Sequence, residues 1–264
     1  MAMRRAPVFL LAFLPLAAHA IVGSSDKRSA PPTSWVGRMS NGSAVAVGPH
    51  TVLTASHIAA NNFLLDGTAY AVTSTAVAPK IGGSKVDLRV VQLAGNLPGW
   101  YELGTSAKTN ATVTMVGYGT AGVLNSVGNG YVLTKGGTRL EGENQITKHK
   151  SYKDFGPSIT SMLNHAGEAA LAGGDSGGGW FVDGKLVGIS AFTFTNDVRK
   201  ANYGWGKSAY FGSGAIDLTN KGVAKWVASQ IATTRSLPPQ AVPEPATVAT
   251  FIVGVAAALR KRRR

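Results

Sequence analysis

A single serine stands within a run of glycines in the segment GGDSGGGW, residues 173–180. Glycine permits sharp backbone turns and leaves main-chain N–H groups uncovered, so that they can point at a bound oxyanion. A serine in this setting is typical of a catalytic nucleophile, although a glycine-rich turn between two strands is the structural alternative. Asp175 directly precedes Ser176, and neighbouring side chains point apart. Asp175 therefore cannot be the base for this serine and needs another partner.

Two further segments supply the groups that a nucleophilic serine requires. The segment TVLTASH, residues 51–57, is a β-branched, apolar strand pattern that ends in His57, and KVDLRVVQL, residues 85–93, places Asp87 at the start of another strand. Serine is a poor nucleophile unless a histidine accepts its proton, and a carboxylate must orient that histidine. The three residue types occur in the order His, Asp, Ser, which is far more specific than any one motif.

The segments TASH, VDLRVVQL and GDSGGGW together resemble the histidine, aspartate and serine motifs of the trypsin and chymotrypsin family of serine endopeptidases. The segment VTMVGYG is similar to the strand that opens that family's second barrel, and KLVGI is similar to the strand after its nucleophile. The resemblance extends from about residue 21 to residue 234. It implies an all-β fold of two six-stranded antiparallel β-barrels with a C-terminal helix, and a catalytic triad in the cleft between the barrels.

The resemblance also implies roles for individual residues. Ser176 would be the acylated nucleophile, His57 the general base and then acid, and Asp87 the group that orients the imidazole. The backbone N–H groups of Gly174 and Ser176 would form the oxyanion hole.

The resemblance further predicts a substrate pocket, formed by Ala170, Leu171, Ala191, Phe192 and Thr193. Its floor would lie at Ala170, where an aspartate would be needed to hold a substrate lysine or arginine. The residue there is apolar, which favours cleavage after apolar, small-to-medium residues. Glu168 is close enough in sequence to leave a basic preference open.

The amino end has the pattern of a secretory signal peptide. A basic start, an apolar run over residues 6–17 and a small-x-small cleavage pattern predict removal of residues 1–20 by signal peptidase. Cleavage would leave Ile21 as the new terminus. By the family resemblance its α-ammonium would pair with Asp175 and activate the enzyme, although a disordered arm or a first strand is the alternative. The chain has no cysteine, so export takes place without disulfides.

The carboxyl end predicts a second processing signal. A proline-rich linker with a PEP motif, residues 236–245, precedes a short apolar stretch and a basic end, residues 246–264. This order resembles the PEP-CTERM sorting signal of Gram-negative bacteria, which implies transient anchoring in the inner membrane and processing by an exosortase-type enzyme. The apolar stretch, residues 246–259, is shorter than the roughly 17–25 residues that span a bilayer comfortably. A plain carboxyl-terminal anchor is the alternative.

Charge excludes one class of partner. The formal net charge is +13, but without residues 1–20 and the tail from residue 236 onwards, 19 basic and 12 acidic residues leave +7. The lysines and arginines do not form a cluster beside a segment that could recognise nucleic-acid bases. We therefore expect no nucleic-acid partner. The histidines lack metal-ligand spacing, so neither a metal nor a cofactor is expected. The expected partners are a protein or peptide substrate and the two processing enzymes.

The remaining pattern divides the mature chain into two parts. Short strands with turn residues at regular spacing predict an N-terminal barrel over residues 21–109 and a C-terminal barrel with a closing helix over residues 110–235. The helix follows from apolar residues at helical spacing over residues 223–231, with Asp217 or Thr219 as its expected cap.

The sequence therefore predicts an exported serine endopeptidase of the cell surface or extracellular space. Two alternatives remain: a non-catalytic surface or matrix binding protein on a protease fold, and an esterase or amidase that uses the same triad.

Overall fold

The computed structural model describes residues 21–22, 35–124, 131–163, 168–194 and 212–235. The predicted signal peptide and the predicted carboxyl-terminal linker and tail lie outside these ranges. Within them, no helix combines the length and apolarity needed to cross a membrane.

The described chain consists of short antiparallel strands and one helix. The elements are β1 Val36–Met39, β2 Gly42–Gly48, β3 Thr51–Thr54, β4 Phe63–Leu65, β5 Thr68–Tyr70, β6 Val72–Val77, β7 Arg89–Leu93, β8 Thr112–Gly117, β9 Gly122–Leu124, β10 Tyr131–Leu133, β11 Leu140–Gln145, β12 Lys148–Tyr152, β13 Gly156–Met162, β14 Gly179–Val182, β15 Lys185–Phe194, β16 Gly212–Asp217 and α1 Lys221–Arg235.

The first sheet closes into a six-stranded barrel. Its strand order is β5-β4-β1-β2-β3-β7-β6, so β5 and β6 form its two ends. These two segments are separated only by Ala71, and together they form one bent strand that pairs with β4 at one end and with β7 at the other. Closure removes both open edges of the sheet.

The second sheet closes in the same way. Its order is β11-β8-β14-β15-β16-β13-β12, and only Ile146 and Thr147 separate β11 from β12. The N–H of Thr147 continues the ladder by donating to the carbonyl of Thr160 at 2.7 Å. The prediction of two six-stranded antiparallel barrels with a C-terminal helix is thereby confirmed. The strands β9 and β10 form a separate two-stranded ribbon.

The barrels pack face to face, which explains why β2 and β3 are buried along their whole lengths. One face of β2, with Ala44 and Ala46, points into the first barrel. The other face, with Val45 and Val47, contributes to a shared core that also contains residues of the second barrel such as Phe181. Side chains alternate between the two faces of a strand. Residues on this second face of β2 are therefore directed at the cleft between the barrels.

The amino-terminal residue of the described chain belongs to the second barrel. Ile21 is fully buried in a cluster with Met115, Ile146, Ile159 and Trp180. A segment predicted to open the first barrel therefore begins inside the second one.

The closing helix α1 packs on the shared core as predicted. Val223 and Val227 are buried there, with Trp226 and Ile231 beside them. Its cap differs from the expectation that Asp217 or Thr219 fills this role. The side-chain oxygen of Asn220 accepts hydrogen bonds from the N–H groups of Gly222 at 3.0 Å and Val223 at 3.4 Å.

We expect Asn220→Ala to lower the free energy of unfolding by about 1 kcal/mol, because two N–H groups of the first helical turn lose their acceptor. Asn220→Asp keeps an acceptor oxygen and should retain most of that stability. Urea unfolding of the three proteins measures the difference. An equal loss in both variants would contradict a capping role.

Candidate active site

The fold brings the predicted His57 and Asp87 together. His57 follows β3 and Asp87 precedes β7, and the two strands pair with Thr54 opposite Arg89. The imidazole Nδ1 lies 2.6 Å from Oδ2 of the carboxylate, and the backbone N–H of His57 donates to Oδ1 at 3.1 Å. This contact fixes the orientation of the ring and leaves its other nitrogen available. The carboxylate is buried, whereas 45% of the histidine side chain is exposed to the cleft.

Asp87 has a second side-chain partner that the sequence reasoning missed. The hydroxyl of Ser56 donates to Oδ1 of Asp87 at 2.6 Å. Burial alone would raise the pKa of Asp87, but the hydrogen bonds from His57 and Ser56, together with the charge of His57, bring it below its ordinary value. Asp87 is thereby stabilised as a carboxylate. The sequence offers one indication of this contact, which is that Ser56 directly precedes His57.

Arg89 holds the backbone on both sides of His57. Its guanidinium donates from Nη1 to the carbonyl of Ile58 at 2.7 Å and from Nη2 to the carbonyl of Ser56 at 2.8 Å. Since Arg89 lies on β7, two residues after Asp87, one strand positions both the carboxylate and the loop that carries the imidazole. The sequence reasoning did not assign a role to this arginine.

Glycines allow the loop that carries Ser176 to approach both barrels. A Cβ on Gly177 would lie 2.0 Å from the carbonyl oxygen of Ser43 on β2, and a Cβ on Gly178 would lie 2.3 Å from that of Val116 on β8. Gly177 also has a positive φ of 85°. The carbonyl of Ser176 accepts the N–H of Ser43 at 2.8 Å. The loop is therefore held against the hairpin that leads to His57.

Two hydroxyl-bearing residues hold the loop of the predicted oxyanion hole. The carbonyl of Gly173 accepts the backbone N–H of Thr120 at 2.7 Å and its hydroxyl at 3.0 Å. The carbonyl of Gly174 accepts the hydroxyl of Ser43 at 3.3 Å. The C=O and N–H of a trans peptide point in opposite directions, so the Gly174 N–H is directed away from Thr120.

Ser43 links this loop to both barrels. Besides its bonds to the nucleophile loop, its hydroxyl oxygen accepts the N–H of Tyr118 at 3.0 Å, and its carbonyl accepts the hydroxyl of Thr54 at 2.7 Å. The residue is fully buried. No sequence signal singled it out, because its partners come from three distant segments.

Asp175, which needed a partner, is enclosed by backbone donors. Its carboxylate accepts the N–H groups of Gly119 at 2.8 Å and Ala172 at 2.9 Å, and that of Ile21 as well. A Cβ at Gly117 or Gly119 would lie within 2.6 Å of this carboxyl group. The VGYG segment noted in the sequence therefore makes room for Asp175. Burial raises the pKa of Asp175 to about 7, and the three hydrogen bonds act against this rise.

The structure brings Ile21 to Asp175 while Ile21 is still joined to the preceding residue. The donor in this chain is thus an amide N–H, without the charge of a free terminus. Val22 then forms a two-way bridge with Ala170, at 3.1 Å and 2.9 Å.

The two segments predicted to form the substrate pocket meet at Ser213 on β16. The N–H of Leu171 donates to the Ser213 hydroxyl at 2.8 Å, and Ser213 is the strand partner of Thr193. Ala170 and Leu171 are both buried.

The other predicted wall residues differ in exposure. Ala191 is buried in the core between the barrels. The ring of Phe192 covers Gly214, where a Cβ would lie 2.2 Å from the ring, and stacks on Phe155 with centroids 4.3 Å apart. This aromatic packing fixes the strand that borders the predicted pocket.

The remaining described histidines have local partners. His50 contacts the carbonyl of Gly95 at 2.7 Å, and His149 contacts Asp217 at 3.1 Å. His165 lies outside the described residues. Among the residues that the structure describes, no cluster of potential ligands could hold a metal ion.

Two packed barrels with a His–Asp pair and a serine loop in the cleft define the chymotrypsin-like class of proteins. The sequence model of the Trypsin family matches residues 21–210, more than half of the chain. The chain belongs to the trypsin family, and its fold and family support a trypsin-like serine protease. No curated protein matches it.

Solved structures with this fold include two proteases. Neuropsin, a serine protease expressed in the limbic system of mouse brain, aligns with a TM-score of 0.58 and 16% identity, over 77% of this chain and 97% of its own. The inactive form of the Rv3671c protease from M. tuberculosis aligns with a TM-score of 0.51 and 18% identity, over 75% and 89% of the two chains. At these identities the similarity concerns the fold alone.

We expect Ser43→Ala to lower kcat for peptide hydrolysis about 10-fold with little change in KM. The variant leaves the buried N–H of Tyr118 without its acceptor and frees the carbonyl of Gly174, which costs about 1–3 kcal/mol and loosens the oxyanion loop. An oxyanion hole acts on the transition state more than on bound substrate, so the expected change is in kcat. Steady-state kinetics measures the two parameters separately.

Ser161→Ala is the matched control, because Ser161 is a buried serine whose hydroxyl has no hydrogen-bond partner among the described residues. It should keep the wild-type kcat. A Ser43→Ala enzyme with lowered thermal stability but unchanged kcat would show that Ser43 only supports the fold.

Proposed function

We propose that this protein is a serine endopeptidase that hydrolyses peptide bonds through an acyl-enzyme. The observation that carries the proposal is the His57–Asp87 contact beside a serine loop that Ser43 and Thr120 hold. Ser176 attacks the substrate carbonyl while His57 takes its proton, and His57 then protonates the leaving amine. Asp87 remains ionised and stabilises the imidazolium. The N–H groups of Gly174 and Ser176 stabilise the oxyanion.

The proposed specificity is for apolar, small-to-medium residues on the acyl side of the cut bond. Its support is the apolar character of Ala170, Leu171 and Ala191 in the two segments that meet at Ser213. A buried, unpaired substrate cation would be costly in such surroundings.

The proposed location is the cell surface or the extracellular space of a Gram-negative bacterium. Its support is the sequence of both ends: the signal-peptide pattern in residues 1–20 and the PEP-CTERM-like order of linker, apolar stretch and basic end in residues 236–264. In this proposal signal peptidase and an exosortase-type enzyme remove the two ends, and the tail anchors the chain only in transit.

We expect Ser176→Ala to lower the rate of peptide hydrolysis by at least about 10³-fold and to abolish labelling by a fluorophosphonate. Ser74→Ala, which changes an exposed serine on β6, is the control and should behave as the wild type. A peptide library and a panel of esters distinguish a protease from an esterase. A wild-type protein that neither reacts with the probe nor cleaves any peptide would favour the non-catalytic alternative.

The amino terminus of the mature enzyme is proposed to carry its activating charge. Cleavage before Ile21 replaces the amide donor at Asp175 by an α-ammonium, which compensates the buried carboxylate. The support is the position of Ile21, fully buried with its N–H on Asp175. A separate propeptide is then unnecessary.

We expect a protein that begins at Ile21 and one that keeps Ala20 to differ in pH dependence. With Ala20 present, the pKa of Asp175 is raised to about 7 from its ordinary 3.8. That form should therefore lose stability as the pH rises from about 4 through about 7. The free ammonium has its pKa raised above about 8 by the carboxylate, so the mature form should keep its stability through that range and lose it at higher pH.

Thermal unfolding between pH 4 and pH 10, with peptidase activity measured alongside, compares the two forms. Asp175→Asn in the form with Ala20 is the control and should remove the loss between pH 4 and 7. Equal activity and equal pH profiles in the two forms would argue against activation by the terminus.

A further inference from the structure

A charged surface lies on the far side of the nucleophile from the predicted substrate pocket. We call it the Tyr118 surface, and it consists of Arg38, Leu64, Asp66, Tyr118 and Arg139. In the second barrel, β14 follows the nucleophile loop directly and lies between β8 on one side and β15 on the other. The predicted pocket wall is on β15, whereas Tyr118 follows β8 and Arg139 precedes β11. A peptide whose acyl side enters the pocket therefore extends its leaving-group side towards this surface.

The Tyr118 surface is close to the reacting serine. The N–H of Tyr118 donates to the hydroxyl of Ser43 at 3.0 Å, and the N–H of Ser43 donates to the carbonyl of Ser176 at 2.8 Å. Two hydrogen bonds thus connect the tyrosine backbone to the nucleophile. An extended peptide advances about 3.3 Å per residue, so the surface is within reach of the first two or three residues after the cut bond.

The register of the first barrel directs Arg38 to the same place. Arg38 on β1 is the strand partner of Ser43 on one side and of Leu64 on the other. Directly opposed residues share a face of the sheet, and the face of Ser43 is the one that borders the cleft. Arg38 and Leu64 are both exposed there.

Arg139 reaches the surface from the second barrel. Its Nη1 lies 3.1 Å from Oδ1 of Asp66, and its side chain also hydrogen-bonds Tyr118. Arg38, Arg139 and Asp66 all act electrostatically on the tyrosine, and because Asp66 pairs with Arg139, the charge of Arg38 is additional to that pair. Among the described residues, Arg38 forms no ion pair.

We propose that the Tyr118 surface is a subsite for a carboxylate on the leaving-group side of the substrate. The carboxylate is an aspartate or glutamate side chain, or the carboxyl terminus of the leaving peptide. A guanidinium presents a planar fork of donors that matches a carboxylate, and Arg38 has this fork available beside Leu64, which can contact the methylene groups of a longer acidic side chain. The proposal rests on the proposed endopeptidase activity, whose substrate preference it specifies.

The test uses quenched fluorescent peptides with one fixed acyl side. Glutamate or glutamine is placed at the second or third position after the cut bond, in peptides with an amidated end. We expect kcat/KM for the glutamate peptide to exceed that for the glutamine peptide by about 5-fold at low salt, as two exposed charges allow, and this ratio to fall towards one in 1 M NaCl. A glutamine peptide that ends there in a free carboxyl group tests the other source of the carboxylate.

Arg38→Gln should lower the glutamate-to-glutamine ratio to about 2 or less. Lys80→Gln removes the same charge from an exposed residue beside Ile81, which contacts α1, and should keep the wild-type ratio. The subsite would be refuted if the wild type at low salt cleaved neither the glutamate peptide nor the peptide with a free carboxyl end faster than the amidated glutamine peptide. An equal glutamate-to-glutamine ratio in Arg38→Gln and Lys80→Gln would refute it as well.

Binding separates failure of the subsite from failure of the proposed function. The Ser176→Ala protein is titrated with the glutamate and glutamine forms of the intact peptide, and fluorescence anisotropy measures affinity. Tighter binding of the glutamate form without any wild-type hydrolysis would refute the endopeptidase and leave the subsite standing. Hydrolysis without any preference in rate or binding would refute the subsite alone.

Discussion

The loop that carries Ser176 depends on a carboxylate enclosed by backbone N–H groups. Asp175 accepts hydrogen bonds from Gly119 and Ala172 at 2.8 and 2.9 Å, and one from Ile21. Burial of a charge without such donors would cost several kcal/mol, so the donors and the loop must hold their positions together. The carbonyl groups on either side of the aspartate, those of Gly174 and Asp175, accept hydrogen bonds from Ser43 and Gly178. Side-chain and backbone partners therefore hold the loop of the proposed oxyanion hole together.

The rest of the site follows from the close contact between the barrels. Ser43 belongs to the first barrel, yet its hydroxyl contacts Tyr118 and Gly174 of the second. The first barrel holds the His57–Asp87 pair through its own strand pairing. Small shifts between the barrels would therefore misplace His57 relative to Ser176. Buried side chains without alternative packing resist such shifts.

The substrate residues before and after the cut bond would contact opposite sides of β14. The strand β14 separates an apolar side, with Leu171 and Thr193 at Ser213, from a charged side, with Arg38 and Arg139 beside Tyr118. A protease of this design would choose its substrates by apolar burial before the cut bond and by charge after it. The two preferences are physically independent, since one depends on desolvation and the other on salt-sensitive electrostatics.

The fold class could be predicted from the sequence alone, and the candidate catalytic residues could be selected from it, because both depend on local signals. Alternating short strands specify barrels, and glycines around Ser176 specify a tight loop. The cap at Asn220, the burial of Ala170 and the contacts of Ser43 and Arg139 depend on the tertiary structure. The hydroxyl of Ser43 meets a carbonyl 131 residues away, and Arg139 meets a carboxylate 73 residues away. Contacts of this kind depend on strand register and on the packing of two barrels, which no local pattern encodes.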